Sequence, residues 1–354
     1  MDTKDTLSSP DESTRPALPE DVEQPEQHAE AVPEPKKSPT PMQESLRRFR
    51  RDTRSMICLA IMILFLLIPL IGPPIYRNIG PVMTTSTGTQ IHPQEYRDPY
   101  HQELDNQDQG PSAYYWLGTD SIGRDLLARL MQGLLISFAV AIVVEIVTDV
   151  LGLIVGTLAG YFGGWMDQIL ARFTDIMFAF PGLLFAILLT GIFGSSADTF
   201  FDKVPLVGGN GYARLILVSC ALSLVSWPLV ARLVRGQTLQ IKEQPFIEAA
   251  RASGASSSKT IIHHIIPNLF SLILVQISLS IGGTIIGEAG LSFLGLGVQP
   301  PGSSIGLMIN DAANLVDTYP WEVLFPSIVL TIIVLCLSFI GDGMRDAFDP
   351  RSKD

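Results

Sequence analysis

Three cysteines in 354 residues leave little room for sulfur chemistry. Cys58, Cys220 and Cys336 each fall inside an apolar run, so neither a disulfide framework nor a cysteine-based metal cluster is indicated. Charge is scarce as well. Only 17% of the residues are Asp, Glu, Lys or Arg. The chain has no basic stripe and no aromatic platform, which excludes a nucleic-acid binder. The net charge of -11 is a poor guide to partners, because much of the acid sits in the first residues, from Asp2 to Glu34. A nucleotide loop is missing too. Gly254-Ala-Ser-Ser-Ser-Lys-Thr260 has the outline of one, but Ser258 stands where a glycine must let backbone N–H groups wrap the phosphates. His263 and His264 are adjacent, point to different faces of a helix and make poor joint metal ligands. No nucleophile stands beside a base. The sequence therefore predicts no catalytic residue, no metal site and no cofactor.

What the chain has instead is apolar length. Hydrophobic residues make up 47%, and several uncharged runs approach 20 residues. That pattern predicts an all-α, polytopic membrane protein with six transmembrane helices. Residues 1–42 are rich in Pro, Glu and Ser, cannot bury enough surface to offset their ordering entropy, and read as a disordered acidic cytoplasmic tail. Residues 43–76 combine a basic elbow with the first span. Arg47, Arg48, Arg50, Arg51 and Arg54 mark the cytoplasmic side and suit anionic membrane lipids. Residues 77–130 are polar and acidic and read as an extracytoplasmic loop. The core, 131–343, holds five further spans at about 134–160, 176–197, 214–233, 269–288 and 323–341. Pro181 should kink or interrupt the third of them. Trp227-Pro228 should kink the fourth. Residues 344–354 form a cytoplasmic C-terminal tail. The loop between the fourth and fifth spans carries Arg235, Lys242, Arg251 and Lys259, while 288–319 has no Lys or Arg, so both termini are expected in the cytoplasm.

Two constellations stand out. In the second span, Glu145, Asp149, Gly152, Gly156 and Gly160 follow at steps of four, three, four and four and share one helical stripe. The glycines permit close approach of another helix. A carboxylate near the bilayer centre costs about 2.5–3.5 kcal/mol on insertion scales, so both acids should face protein or water, at a helix interface or a pathway. Between the fourth and fifth spans lies Gln244-Pro-Phe-Ile-Glu-Ala-Ala-Arg-Ala-Ser-Gly254. Pro245 suits a first helical turn and Gly254 the left-handed residue beyond a helix end. Phe246, Ala249, Ala250 and Ser253 would share one face, small and flat, fit to enter a partner's groove.

Glu248-Ala-Ala250, Gly254 and Pro267 resemble the EAA loop of ABC-importer permeases. The resemblance is nearest to the dipeptide and oligopeptide subgroup, and within it to the second permease subunit, whose loop ends in a stretch like His264-Ile-Ile-Pro-Asn268. The general family pattern has an aliphatic residue at the place of His264. Leu117–Asp125, Gly160-Tyr-Phe-Gly-Gly164, Gly287–Gly295, Gly341–Asp346 and Asp349-Pro-Arg351 are similar to the same subgroup. The resemblance runs from about Gln43 to the end. It implies a type I ABC importer permease fold in the cell membrane. The implied partners are a second, paralogous permease subunit in a heterodimer, two ATP-binding subunits that hydrolyse the ATP, and an extracytoplasmic substrate-binding protein. Glu248, Ala249, Ala250, Gly254 and Pro267 would couple to the ATPase. The implied substrate is a di- or oligopeptide, with nickel, carried by other members of the subgroup, as the alternative. From the residues alone, an ion-coupled secondary transporter using Glu145 and Asp149 remains a rival.

Overall fold

The computed structural model describes residues 41–349 except 85–87, 202 and 205–210. The acidic tail up to residue 40 and the C-terminal tail beyond Asp349 lie outside the described residues. In order, the helices are α1 (Pro41–Arg51), α2 (Thr53–Tyr76), α3 (Pro93–Tyr96), α4 (Leu126–Phe162), α5 (Gly164–Ala179), α6 (Gly182–Phe201), α7 (Ala213–Ile241), α8 (Pro245–Ala252), α9 (Ser257–Thr260), α10 (Ile266–Phe293), α11 (Ile305–Ala312) and α12 (Pro320–Phe348). One short hairpin, β1 (Met83–Thr84) with β2 (Gln90–Ile91), interrupts the helical pattern. Among the described residues six helical stretches are long and apolar enough to cross a membrane: α2, α4, α6, α7, Ser257–Phe293 and α12.

The spans run longer than the uncharged stretches that announce them, because charges at their ends are satisfied inside the protein. α4 starts at Leu126, not near 134, and so takes the end of the segment read as a 77–130 loop. Arg129, which closes the apolar run in the sequence, is 1% exposed. It donates to Asp120 at 2.6 Å and to Asp311 at 3.1 Å. Asp125 caps the helix, accepting from the Ala128 N–H at 2.9 Å. α10 runs on past Glu288 to Phe293, since the Glu288 carboxylate, fully buried, accepts from Ser137 at 2.7 Å and from Ser292 at 2.8 Å. α7 continues beyond 233 to Ile241 and α12 spans 320–348. The third span is shifted: Phe180-Pro181 ends α5, and the crossing helix is α6, which begins at Gly182. Proline lacks the N–H and crowds the preceding turn, so the interruption falls where it stands. Pro228 leaves α7 unbroken.

Two buried clusters centre on α4. Leu134 and Phe138 of α4 pack with Ile285, Ile305 and Ile333 from α10, α11 and α12. Val140 and Val144 pack with Ala186 of α6 and with Val218, Ala221 and Leu222 of α7. One cation gathers much of the 77–125 segment. Arg97 is fully buried and donates to the carbonyl oxygens of Tyr114 at 3.0 Å, of Tyr76 and Ala113 at 3.1 Å, and of Ile79. Its guanidinium lies 4.2 Å from the Tyr76 ring centroid. Collecting several carbonyls with one rigid fork offsets the desolvation of the charge.

Candidate functional site: the α7–α10 loop and the acidic stripe

The loop helix α8 forms where Pro245 and Gly254 bracket it. Gln244 is its extended N-cap and Pro245 occupies the first turn. Gly254 has φ +84°, and the Ala255 N–H reaches back to the Ala250 carbonyl at 3.1 Å. That left-handed closure is what glycine permits without steric cost. One buried apolar side chain seats the helix on the bundle. Ile247 is fully buried, in a cluster with Val230, Val234 and Ile241 of α7 and Ile265 and Leu269 beyond the loop. Burying one such side chain contributes roughly 1.5–3 kcal/mol. The opposite face is bare: Phe246 is 45% exposed, Glu248 and Ala249 are exposed, and Ala250 is half-buried.

Past Gly254, Ser256 caps α9. A π-turn over 261–265 then leads into α10, with Pro267 at its start. A wider turn accommodates a proline that would break the α-helical ladder. His263 is exposed and His264 half-buried.

The loop is tied to the second constellation. Lys242 donates to the Gly160 carbonyl at 3.0 Å, and the Arg251 guanidinium lies 5.1 Å from the Tyr161 ring centroid. Gly160, Gly156 and Gly152 lie against α7. A Cβ at Gly156 would stand 2.5 Å from the Ala231 carbonyl oxygen, and one at Gly152 would stand 2.5 Å from Val230. Further along the helix, Glu145 and Asp149 are 5% and 7% exposed. Glu145 accepts from Ser280 and Thr284 of α10, both at 2.6 Å. Both carboxylate oxygens of Asp149 are buried without a hydrogen-bond partner. α4 therefore carries contacts to the loop at one end and a buried carboxylate pair further along.

A cavity of about 550 Å3 opens beside the stripe between α4, α5 and α7. Its wall includes Asp167, which Arg235 grips through two hydrogen bonds of 2.5 and 2.7 Å. That grip holds the Asp167 carboxyl below its usual value. The structure thus brings Glu248, Ala249, Ala250, Gly254 and Pro267 into one loop, and Glu145, Asp149 and the three glycines onto one face. The sequence offers Asp120 and Arg124 as a structural turn and pair, and they pair at 2.7 Å; three buried features were not read from it: Glu288, Arg97 and the extension of that pair to Arg129 and Asp311. The signal for Glu288 was local, since Ser292 stands one turn on; Asp311 gave none, being 182 residues from Arg129.

Two family models match. Residues 152–354 match the binding-protein-dependent transport system inner membrane component, and residues 40–111 match the N-terminal TM domain of oligopeptide transport permease C. The chain is 39% identical over 314 residues to the glutathione transport system permease protein GsiD of Shigella flexneri serotype 5b, covering 89% of this chain and 92% of that protein. It is 37% identical, with the same coverage, to the protein of that name from Escherichia coli O6:K15:H31. A solved structure of the MetNI methionine ABC transporter in an inward-facing conformation aligns with 62% of this chain and 95% of that one, at 19% identity and a TM-score of 0.47.

Proposed function

Because the chain belongs to the binding-protein-dependent transport-system inner-membrane components and is a permease of an ABC importer, we propose that it forms half of a peptide pathway and takes its motion from an ATPase through α8. The family consists of transport permeases, which work with an ATPase and a substrate-binding protein. We assign the second half of the pathway to a paralogous permease subunit, and ATP hydrolysis to two ATP-binding subunits. The substrate is a short peptide. Relatives named for glutathione, itself a tripeptide, and the match to an oligopeptide permease domain support that class. The observation that carries the coupling reading is the bareness of α8: a short helix between two spans, held by the buried Ile247 and by Arg251 against Tyr161, with Phe246, Glu248 and Ala249 turned outward. ATP binding shifts the permease between inward and outward openings only through contacts that differ between them. Glu248, Ala249, Ala250, Gly254 and Pro267 shape that contact.

Both termini are assigned to the cytoplasm and the 77–125 segment to the opposite side. Single cysteines placed at Ser45 or Ser352 in a cysteine-free background are expected to react with an impermeant maleimide only from the cytoplasmic face. One at Ser112 should react only from outside. Labelling of Ser352→Cys from outside would contradict six crossings.

Glu145 and Asp149 are assigned to the moving interface beside the pathway. Their burial and the hydroxyls of Ser280 and Thr284 support an α4–α10 contact. Asn at both positions keeps most hydrogen bonding and removes charge. The double variant is expected to assemble normally and to lose at least tenfold in peptide uptake, more for peptides with a free amino terminus than for blocked ones. Unchanged assembly together with unchanged uptake would remove charge from the mechanism.

A further inference from the structure

The chain turns sharply between α1 and α2, at Asp52, whose φ of -75° and ψ of 102° are extended. The corner brings Arg48 and Arg51 of α1 and Arg54 of α2 to the lip of one cleft of about 180 Å3. Gly343 and Ala347 of α12 form its floor, and Asp52 and Asp346 complete the wall. The floor must be small. A Cβ on Gly343 would stand 2.0 Å from the Ser55 hydroxyl oxygen. Of the two carboxylates, Asp52 is engaged: Ser55 Oγ donates to it at 2.5 Å, and the N–H groups of Arg54 and Ser55 donate at 3.3 Å. Asp52 also lies 3.9 Å from the Arg54 guanidinium, and Asp346 is the second carboxylate of the wall, so three arginines meet two acids at this corner.

We propose that this cleft holds the phosphate headgroup of an anionic phospholipid of the phosphatidylglycerol type. The shared chemistry is a phosphate against clustered guanidinium groups, which match its oxygens in pairs. Position selects the lipid over a free phosphate ion. Arg54 lies in the first turn of a membrane span, and Ile57 and Ile61 follow it on the same face at steps of three and four. Ile57 is 56% exposed and Ile61 half-buried, a track for an acyl chain directly below the headgroup. On α1, Met42 and Leu46 are exposed while Phe49 is buried. An exposed apolar edge beside arginines is the composition of a helix lying in the membrane surface. The headgroup would thus tie the α1 elbow to the end of α12.

The test is a calorimetric titration of the purified full chain, in a nonionic detergent, with dihexanoyl phosphatidylglycerol, dihexanoyl phosphatidylcholine and inorganic phosphate. Phosphatidylglycerol is expected to bind at least tenfold more tightly than either of the others. Arg51→Gln with Arg54→Gln should weaken it about 25-fold, fivefold for each charge at about 1 kcal/mol per basic residue near a membrane surface. Arg50→Gln, which removes one such charge outside the cleft, should leave binding within twofold where Arg51→Gln alone costs about fivefold. Equal binding of the two lipids would overturn the proposal, as would phosphate binding as tightly as phosphatidylglycerol. Equal damage from Arg50→Gln and Arg51→Gln would reduce the effect to diffuse attraction and overturn it too. Size-exclusion profiles and tryptic resistance establish that each variant is folded.

Discussion

Replacing Gly254 with valine is expected to cut substrate-stimulated ATP hydrolysis and uptake by at least tenfold while leaving the chain folded in the membrane. Space is not the obstacle, since a Cβ at Gly254 would meet nothing within 4 Å. Backbone conformation is. At φ +84° a left-handed residue with a Cβ costs about 1–2 kcal/mol, and β-branching makes the position harder still. One or two kcal/mol shifts a two-state equilibrium by roughly 5–30-fold. The easiest relief is for the α8 end to unwind, which misplaces Ala249 and Ala250. Gly254→Asn, which tolerates the left-handed region, should retain most of the coupling. Glu248→Lys should uncouple by another route: the helix loses an acid from its first turn, worth about 0.3–1 kcal/mol, and the outward face reverses charge. The measurement is ATPase activity of the reconstituted complex with and without loaded binding protein. Wild-type stimulation and uptake in both Gly254→Val and Glu248→Lys would sink the coupling assignment.

Asp120→Ala should be the most destabilising single substitution in the 77–125 segment, by about 3–5 kcal/mol, the range for stranding a buried charge. Asp120 is 4% exposed and accepts from Arg124 Nε at 2.7 Å and Arg129 Nη1 at 2.6 Å, as well as from the N–H groups of Ile122 and Arg124. Without it, two buried guanidinium groups share Asp311, which is 28% exposed and lies 3.6 Å from Arg124 and 3.1 Å from Arg129. Pairing Asp120→Ala with Arg129→Met should recover part of the loss, because a well-packed apolar side chain leaves no second stranded charge. Thermal unfolding in nanodiscs reads both. A single variant within 1 kcal/mol of wild type would show that the network is solvated and weak.

Helix number and the loop were legible because both are written locally. An uncharged run sets a crossing, and Pro245 and Gly254 punctuate α8 within ten residues of each other. The stripe from Glu145 to Gly160 was legible as a face, since step sizes alone place it on one side of α4. Helix ends were less so. Arg129, Arg235 and Glu288 look like the edges of apolar runs, yet each lies within a helix, paired with a residue far away in sequence or, for Glu288, also one turn on. Periodicity carries no information about such partners: Asp311 reaches Arg129 from α11, and Ser137 reaches Glu288 from α4. The same limit hid Arg97, three of whose four carbonyl partners belong to a segment with no repeating pattern at all.

The sparse seating of α8 has an evolutionary consequence. A surface seated by Ile247 and by Arg251 on Tyr161 is nearly independent of the packing that holds the spans, since its outward residues Phe246, Glu248 and Ala249 are exposed. Substitutions on that face are not filtered by folding. Under the proposed coupling they are filtered by the shape of the docking subunit, so the two proteins can drift together, residue by residue, at little thermodynamic penalty to either. A loop built this way lets one membrane scaffold change engines, and lets duplicated transport systems in one cell keep theirs apart.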